Sequence, residues 1–197
     1  MPTVLAVGER AAMPYHRWSV NEYHQMAQAG LLNETDRVEL IEGELIDMAP
    51  IGSKHAFRVD SIARALQLAA GKMLLVRVQN PVFLGEHSEP QPDIAVVKDK
   101  NYTESHPGAD DVLLIVEVSD TTLAYDRDVK LSLYARHGIP EVWLLDVNSG
   151  ELTVYREPGE GQYRLIRKPT RAEAVSPVLV PEVLITLADV LEKPVLL

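Results

Sequence analysis

VLLIVEV, Val112 to Val118, decides how the rest of the chain is read. The five residues before Glu117 are all Val, Leu or Ile, and a short, continuously apolar run reads as a strand buried on both faces. It is far shorter than the roughly 20 residues that cross a bilayer. Downstream, Tyr125 to His137 carries a helical pattern that closes at Gly138 and Pro140, and EVWLLDV, Glu141 to Val147, is a second continuously apolar strand. Strand, helix, strand in this order predicts a parallel crossover.

Upstream, Asp93 to Val97 and Met73 to Leu84 read as strands, separated by polar loops carrying Pro90, Pro92, Pro107 and Gly108. From Ser53 to Gly71 the residues Val59, Ile62, Ala63, Leu66, Ala69 and Ala70 recur at helical spacing, with Arg58, Arg64 and Lys72 mostly off the stripe, which predicts a long amphipathic helix. RVELIEGELIDM, Arg37 to Met48, alternates apolar and acidic positions on both sides of Gly43, the pattern of a hairpin with a tight turn. Trp18 to Ala29 predicts a short helix, capped by Ser19 and stopped by Gly30. Leu152 to Tyr155 and Tyr163 to Ile166 read as a meander, and Leu187 to Leu191 as a terminal helix. The fold class is α/β, with a central mixed β-sheet flanked by helices. Residues 1–17 read as a flexible N-terminal segment and residues 18–197 as a single domain.

A chain of 197 residues with 46% hydrophobic content can fill one core unaided. With 19 Lys+Arg against 29 Asp+Glu, the net charge of −10 excludes a protein that coats polyanions through bulk charge. Any nucleic-acid contact must be local. The absence of cysteine excludes disulfide scaffolds, thiolate zinc sites, iron–sulfur clusters and a thiol nucleophile. No export signal or membrane segment is visible, and a cytoplasmic protein is the expectation. None of the six histidines forms an HxH or HExxH pair, which disfavours a histidine-built zinc site.

Glu117 is the anomaly, since a bare carboxylate behind five aliphatic residues must be protonated, paired or metal-bound if it is buried. The plainer alternative is a solvated strand end. Asp93, after Pro92, is by itself an ordinary turn aspartate. Two adjacent strands each carrying an acid near one end, however, can hold two carboxylates at one site, a donor set that suits Mg²⁺ or Mn²⁺. Lys130 stands four residues after Asp126 and four before Tyr134, so the three share a helical face. The plain reading is a surface Asp126–Lys130 pair; the alternative is a lysine leaning over the two-acid site.

Taken together, Gln91-Pro92-Asp93, LLIVEVSDTT (Leu113 to Thr122), Asp126…Lys130…Tyr134 and GIPEVWLLD (Gly138 to Asp146) resemble the Uma2 family of putative endonucleases, in the PD-(D/E)XK restriction-endonuclease-like superfamily. VELIEGELI and the Ser53-x-His55 helix start extend the resemblance from about Trp18 to the C-terminus. It implies a restriction-endonuclease-like core of order αβββαβ, extended by an N-terminal helix and hairpin and a C-terminal β-meander. It also implies that Asp93 and Glu117 are the metal ligands. The superfamily lysine stands two residues after the glutamate, where this chain has Ser119, so Lys130 is the matching candidate. Glu39 resembles the additional acid, with Glu42 as its competitor on the opposite strand face. His55 matches a family position at the helix start, where a structural hydrogen-bonding role is the plainer one.

The expected activity is Mg²⁺- or Mn²⁺-dependent hydrolysis of DNA, duplex and by a homodimer, with Glu39, Asp93, Glu117 and Lys130 as catalytic residues. Asp93→Ala or Lys130→Ala is expected to abolish cleavage and leave the fold intact. The competing readings are a non-catalytic nucleic-acid or protein-binding module on the same fold, and a hydrolase of smaller phosphate esters. Lys54, Arg58, Arg64, Lys98, Lys100 and Arg127 are the cations available for a site mouth.

Overall fold

A computed structural model describes residues 15–33, 35–120 and 126–191, with the backbone alone at residues 126, 127 and 189. Residues 1–14 of the expected N-terminal segment, and Thr121 to Tyr125, lie outside the described residues. The elements in chain order are α1 (Val20–Gln28), β1 (Val38–Ile41), β2 (Glu44–Asp47), α2 (Ser53–Ala70), β3 (Leu74–Val78), β4 (Ile94–Lys98) and β5 (Val112–Ser119). A π-helical turn, Asp126–Lys130, then runs into α3 (Leu131–Arg136), followed by β6 (Glu141–Asp146), β7 (Glu151–Pro158) and β8 (Tyr163–Arg167). A short pair, β9 (Ala174–Val175) and β10 (Ile185–Thr186), and the helix α4 (Leu187–Leu191) follow.

Six strands form one sheet in the order β3-β4-β5-β6-β7-β8. All neighbours are antiparallel except β5 and β6, which pair in parallel across the expected crossover. The α/β class with a mixed central sheet is thus the one found, and the meander extends that same sheet. Every residue of β5 is buried, as a run without polar alternation requires.

Side-chain alternation divides the core into two layers. Leu114, Val116, Val118, Ile94, Val96, Trp143 and Leu145 face α2, meeting Val59, Ile62, Leu66 and Ala70. Ile115, Ala95, Val97, Val142 and Leu144 face the other way, onto Leu131, Leu133, Tyr134 and Ala135 of α3 and its flank. Glu117 has the parity of Ile115, so its carboxylate belongs to the α3 layer.

One detail departs from the sequence reading. The run from Met73 to Leu84 is a strand only as far as Val78. Gln79 takes φ 50°, the Asn80 side-chain amide bonds the Val78 carbonyl at 2.7 Å, and Pro81 has no N–H to offer a ladder. Val82 and Leu84 are apolar because they are buried beneath the α3 layer. The hairpin β1–β2 forms its own two-stranded sheet, tied to the rest through a bridge between Leu40 and Glu89. Ser19 caps α1 in a reciprocal capping box with Glu22, and Tyr23 of that helix donates to the Val38 carbonyl at 2.9 Å.

Candidate functional site

The antiparallel register of β4 and β5 pairs Ile94 with Val116, and one further step sets Asp93 opposite Glu117. Each holds the other's strand end: the Asp93 N–H donates to Glu117 Oε2 at 3.3 Å, and the Val118 N–H donates to Asp93 Oδ2 at 2.9 Å. The strand adjacency that the sequence left open is therefore present. Glu117 is 3% exposed, so the solvated strand end is not what the fold builds. Pro92, which lacks an N–H, separates two amides that leave the ladder. The Asp93 amide goes to Glu117, and the Gln91 amide donates to Glu39 Oε2 at 3.1 Å.

Glu39 enters from β1, opposite Ile46 on β2, and is 2% exposed. Its competitor Glu42 lies in the turn, where Glu42 (φ 50°) and Gly43 (φ 84°) make the consecutive left-handed residues of a tight hairpin. Glu42 Oε1 accepts from Arg136 Nη2 at 3.0 Å, outside the cleft. The turn thereby separates the two candidates.

Lys130 closes the π-helical turn and is 5% exposed. Its Nζ lies 3.1 Å from Glu39 Oε2 and 3.5 Å from Glu117 Oε1. One turn on, the fully buried Tyr134 hydroxyl donates to the same Glu117 Oε1 at 2.6 Å. The side chain of Asp126, the third member of the expected helical face, lies outside the described residues. Two buried carboxylates thus share an ammonium, two backbone amides and a phenol, the satisfaction that burial of charge demands. The place of the superfamily lysine is held by Ser119, wholly buried, whose carbonyl accepts the Val147 N–H.

These groups form the floor of an open cleft of ≈ 570 Å³. Its walls add Arg37, Asp47 and Asp120, residues the sequence reading did not single out, together with the apolar stretch from Met48 to Ile51. His55, in the first turn of α2, reaches Asp93 Oδ2 with Nε2 at 3.1 Å, both side chains being about one-sixth exposed at 16% and 15%. Five acids (Glu39, Asp47, Asp93, Glu117 and Asp120) face two permanent cations, Arg37 and Lys130. Arg37 is itself tied to the Ala49 carbonyl at 2.8 Å. The cleft is a concentrated negative field that favours cations and opposes a bare phosphate.

The cations expected at the mouth scatter. Lys98 and Lys100 sit at the other end of β4, bonded to the Asp110 carbonyl and to Asp111. Arg58 is held by the Val190 and Leu191 carbonyls of α4 at 3.2 and 2.7 Å. The Arg127 side chain lies outside the described residues.

The sequence profile of Uma2, described as "Putative restriction endonuclease", matches residues 20–188. The chain belongs to the Uma2 family. That span contains Glu39, Asp93, Glu117, Lys130 and the crossover between β5 and β6. Among solved structures, this Uma2 chain is similar to a putative nuclease belonging to DUF820 from Anabaena variabilis ATCC 29413. The TM-score is 0.66 at 16% identity, over 88% of this chain and 97% of that one. At that identity the likeness is one of fold. No curated protein matches the chain. Among the described residues no helix of this Uma2 protein is long and apolar enough to cross a membrane.

Proposed function

We propose that the cleft is the active site of a divalent-metal-dependent endonuclease that hydrolyses DNA. The observation that carries this reading is the convergence of Asp93 and Glu117 from adjacent strand ends, with Lys130 Nζ 3.5 Å from Glu117 on the cleft floor. Among the described residues no group of three or more His, Asp or Glu side chains is clustered to enclose a metal ion. Two hard carboxylates in an open, acid-lined cleft fit Mg²⁺ or Mn²⁺, which keep several waters and take one or two protein carboxylates beside substrate phosphates.

When bound, such an ion polarises the scissile phosphate and lowers the pKa of a water. The chain's own residues do the rest. Asp93 and Glu117 would hold the ion, their carboxylates fixed by the Val118 and Asp93 amides and by Tyr134. Lys130 orients the attacking water and offsets charge developing on the phosphate. Glu39 anchors the lysine at 3.1 Å. The negative cleft makes phosphate binding conditional on cations, which supports metal dependence. Cutting both strands of a duplex calls for two such sites, and a cytoplasmic homodimer is part of the same proposal; light scattering of the purified protein tests the dimer.

The deciding experiment is cleavage of supercoiled plasmid by the wild type and Glu117→Gln, each with Mg²⁺, Mn²⁺ or EDTA. Nicking or linearisation by the wild type alone, abolished by EDTA, is the expected result. Absence of cleavage with either metal overturns the nuclease reading in favour of a binding module on the same fold.

A further inference from the structure

Helix α2 starts at the cleft, where Gly52 and His55 line the wall, and carries a charge opposite to that of the molecule. The chain's net charge is −10, yet Lys54, Arg58 and Arg64 stand on α2 against the single acid Asp60. Its apolar stripe, Val59, Ile62, Leu66 and Ala70, is buried on the sheet. Lys54, Phe57, Arg64 and Leu68 lie on the opposite side, all exposed, Phe57 at 41% and Leu68 at 73%, with the exposed Asp60 one helical turn from both Phe57 and Arg64. The Phe57 ring is backed by the Arg58 guanidinium, 5.4 Å from its centroid, and Arg58 is in turn fixed by the end of α4. The ring is thus a braced platform beside exposed cations.

The geometry points to this face of α2 as the path of a single DNA strand leaving the cleft, its phosphates on Lys54 and Arg64 and a base stacked on Phe57. This deepens the nuclease reading and rests on it for the nature of the strand. Interleaved cations and an exposed aromatic ring are what a single strand requires, since every base has a π-face and every linkage a charge. A duplex, with its bases already stacked, has no use for the ring. The 18 residues of α2 span about 27 Å, room for roughly four extended nucleotides. Charge complementarity selects the occupant: exposed cations call for a polyanion, and a second copy docked two-fold on this face would bring its own cationic stripe against this one.

The test is fluorescence anisotropy of labelled oligothymidine and of a labelled duplex in EDTA, which removes metal and so separates the path from the cleft chemistry. Lys54→Gln with Arg64→Gln should weaken single-strand binding and reduce the salt slope by about 1.4, two phosphate contacts at roughly 0.7 each. Phe57→Ala should weaken it about tenfold and Phe57→Trp restore it. Lys98→Gln with Lys100→Gln, removing equal charge at the far end of β4, should change neither. No binding by the wild type, or equal losses in the α2 and control variants, overturns the path. Loss with the α2 cations but not with Phe57→Ala, and equal binding of duplex, overturns its single-stranded character. Plasmid cleavage is scored in parallel: binding lost as expected without any cleavage refutes the nuclease reading alone, and cleavage with binding untouched refutes the path alone.

Discussion

Lys130 carries two loads, neutralising two buried carboxylates and facing the cleft where chemistry is proposed. The first load alters what the sequence led us to expect, namely that Lys130→Ala would leave the fold intact. Removing one partner of a buried ion pair strands the other charge, so Lys130→Met should lower stability by about 3 kcal/mol in urea unfolding. Adding Glu117→Gln should recover part of that loss, because the two residues are coupled; strict additivity would show that the contact carries no energy. Tyr134→Phe removes one O–H donor from Glu117 Oε1 while Lys130 still engages that oxygen. It should cost about 2 kcal/mol, the hydrogen bond being made to a charged acceptor, read in the same urea titration. At this scale the sequence was informative wherever an apolar run made a charge conspicuous. Glu117 stood out behind five aliphatic residues, and Lys130 and Tyr134 were linked by their spacing of four. Arg37 and Asp47 were not legible, since their nearness to Asp93 comes from the hairpin folding over the sheet end, and Asp120, just past the end of β5, reads as an ordinary strand-end residue until the pairing of β4 with β5 brings it to the same cleft. That is a tertiary fact with no local signature.

The hairpin is the element that turns a two-strand acid pair into a walled site, and its turn is the point at which it is most easily broken. Gly43 combines φ 84° with a close approach: a Cβ there would lie 2.6 Å from Arg17 Cβ and 2.9 Å from Arg17 Cα. Its N–H donates to the His87 carbonyl at 2.7 Å, and its own carbonyl accepts from the Trp18 N–H at 2.9 Å. Gly30, at φ 72°, shares the conformation, but nothing lies within 4 Å of its Cβ position. Gly30→Ala should therefore cost about 1 kcal/mol from backbone strain alone, and Gly43→Ala about 2 kcal/mol or more as strain and collision add. Thermal unfolding of the two variants tests this; equal shifts would show that the approach of Arg17 is not a constraint. Turn position and alternation were readable from VELIEGELI, which is why the hairpin was anticipated. That it stands outside the main sheet was not, because an alternating strand reports one buried face and not its neighbour. The run from Met73 to Leu84 misled for a related reason: burial makes loop residues such as Val82 and Leu84 as apolar as strand residues.

Across the whole molecule, the order α2, β3, β4, β5, α3, β6 followed from hydrophobic period and punctuation, and the parallel pairing of β5 and β6 from the single helix between them. The long-range response to pH depends instead on which side chains burial selects. Burial holds the imidazoles of both His106 and His137 below their ordinary value of 6.5. Arg77 pushes His106 the same way against the opposing charge of Glu89, and Arg136 does so for His137. As pH falls below 6.5 the unfolded chain takes up these protons first, so the stability present above that pH is lost toward the lower folded-state values. Proton uptake also reduces the net charge of −10 and relieves self-repulsion, an effect of opposite sign. That effect is spread over the surface and screened beyond about 8 Å at physiological ionic strength, whereas the imidazoles are held locally by burial. Carboxylates lowered by hydrogen bonds, such as Glu22, Asp146 and Glu173, act only at still lower pH. The melting temperature should therefore fall between about pH 7 and 5.5, and His106→Gln with His137→Gln should flatten that arm. A double variant that melts with the wild-type pH slope would assign the acid sensitivity to other groups.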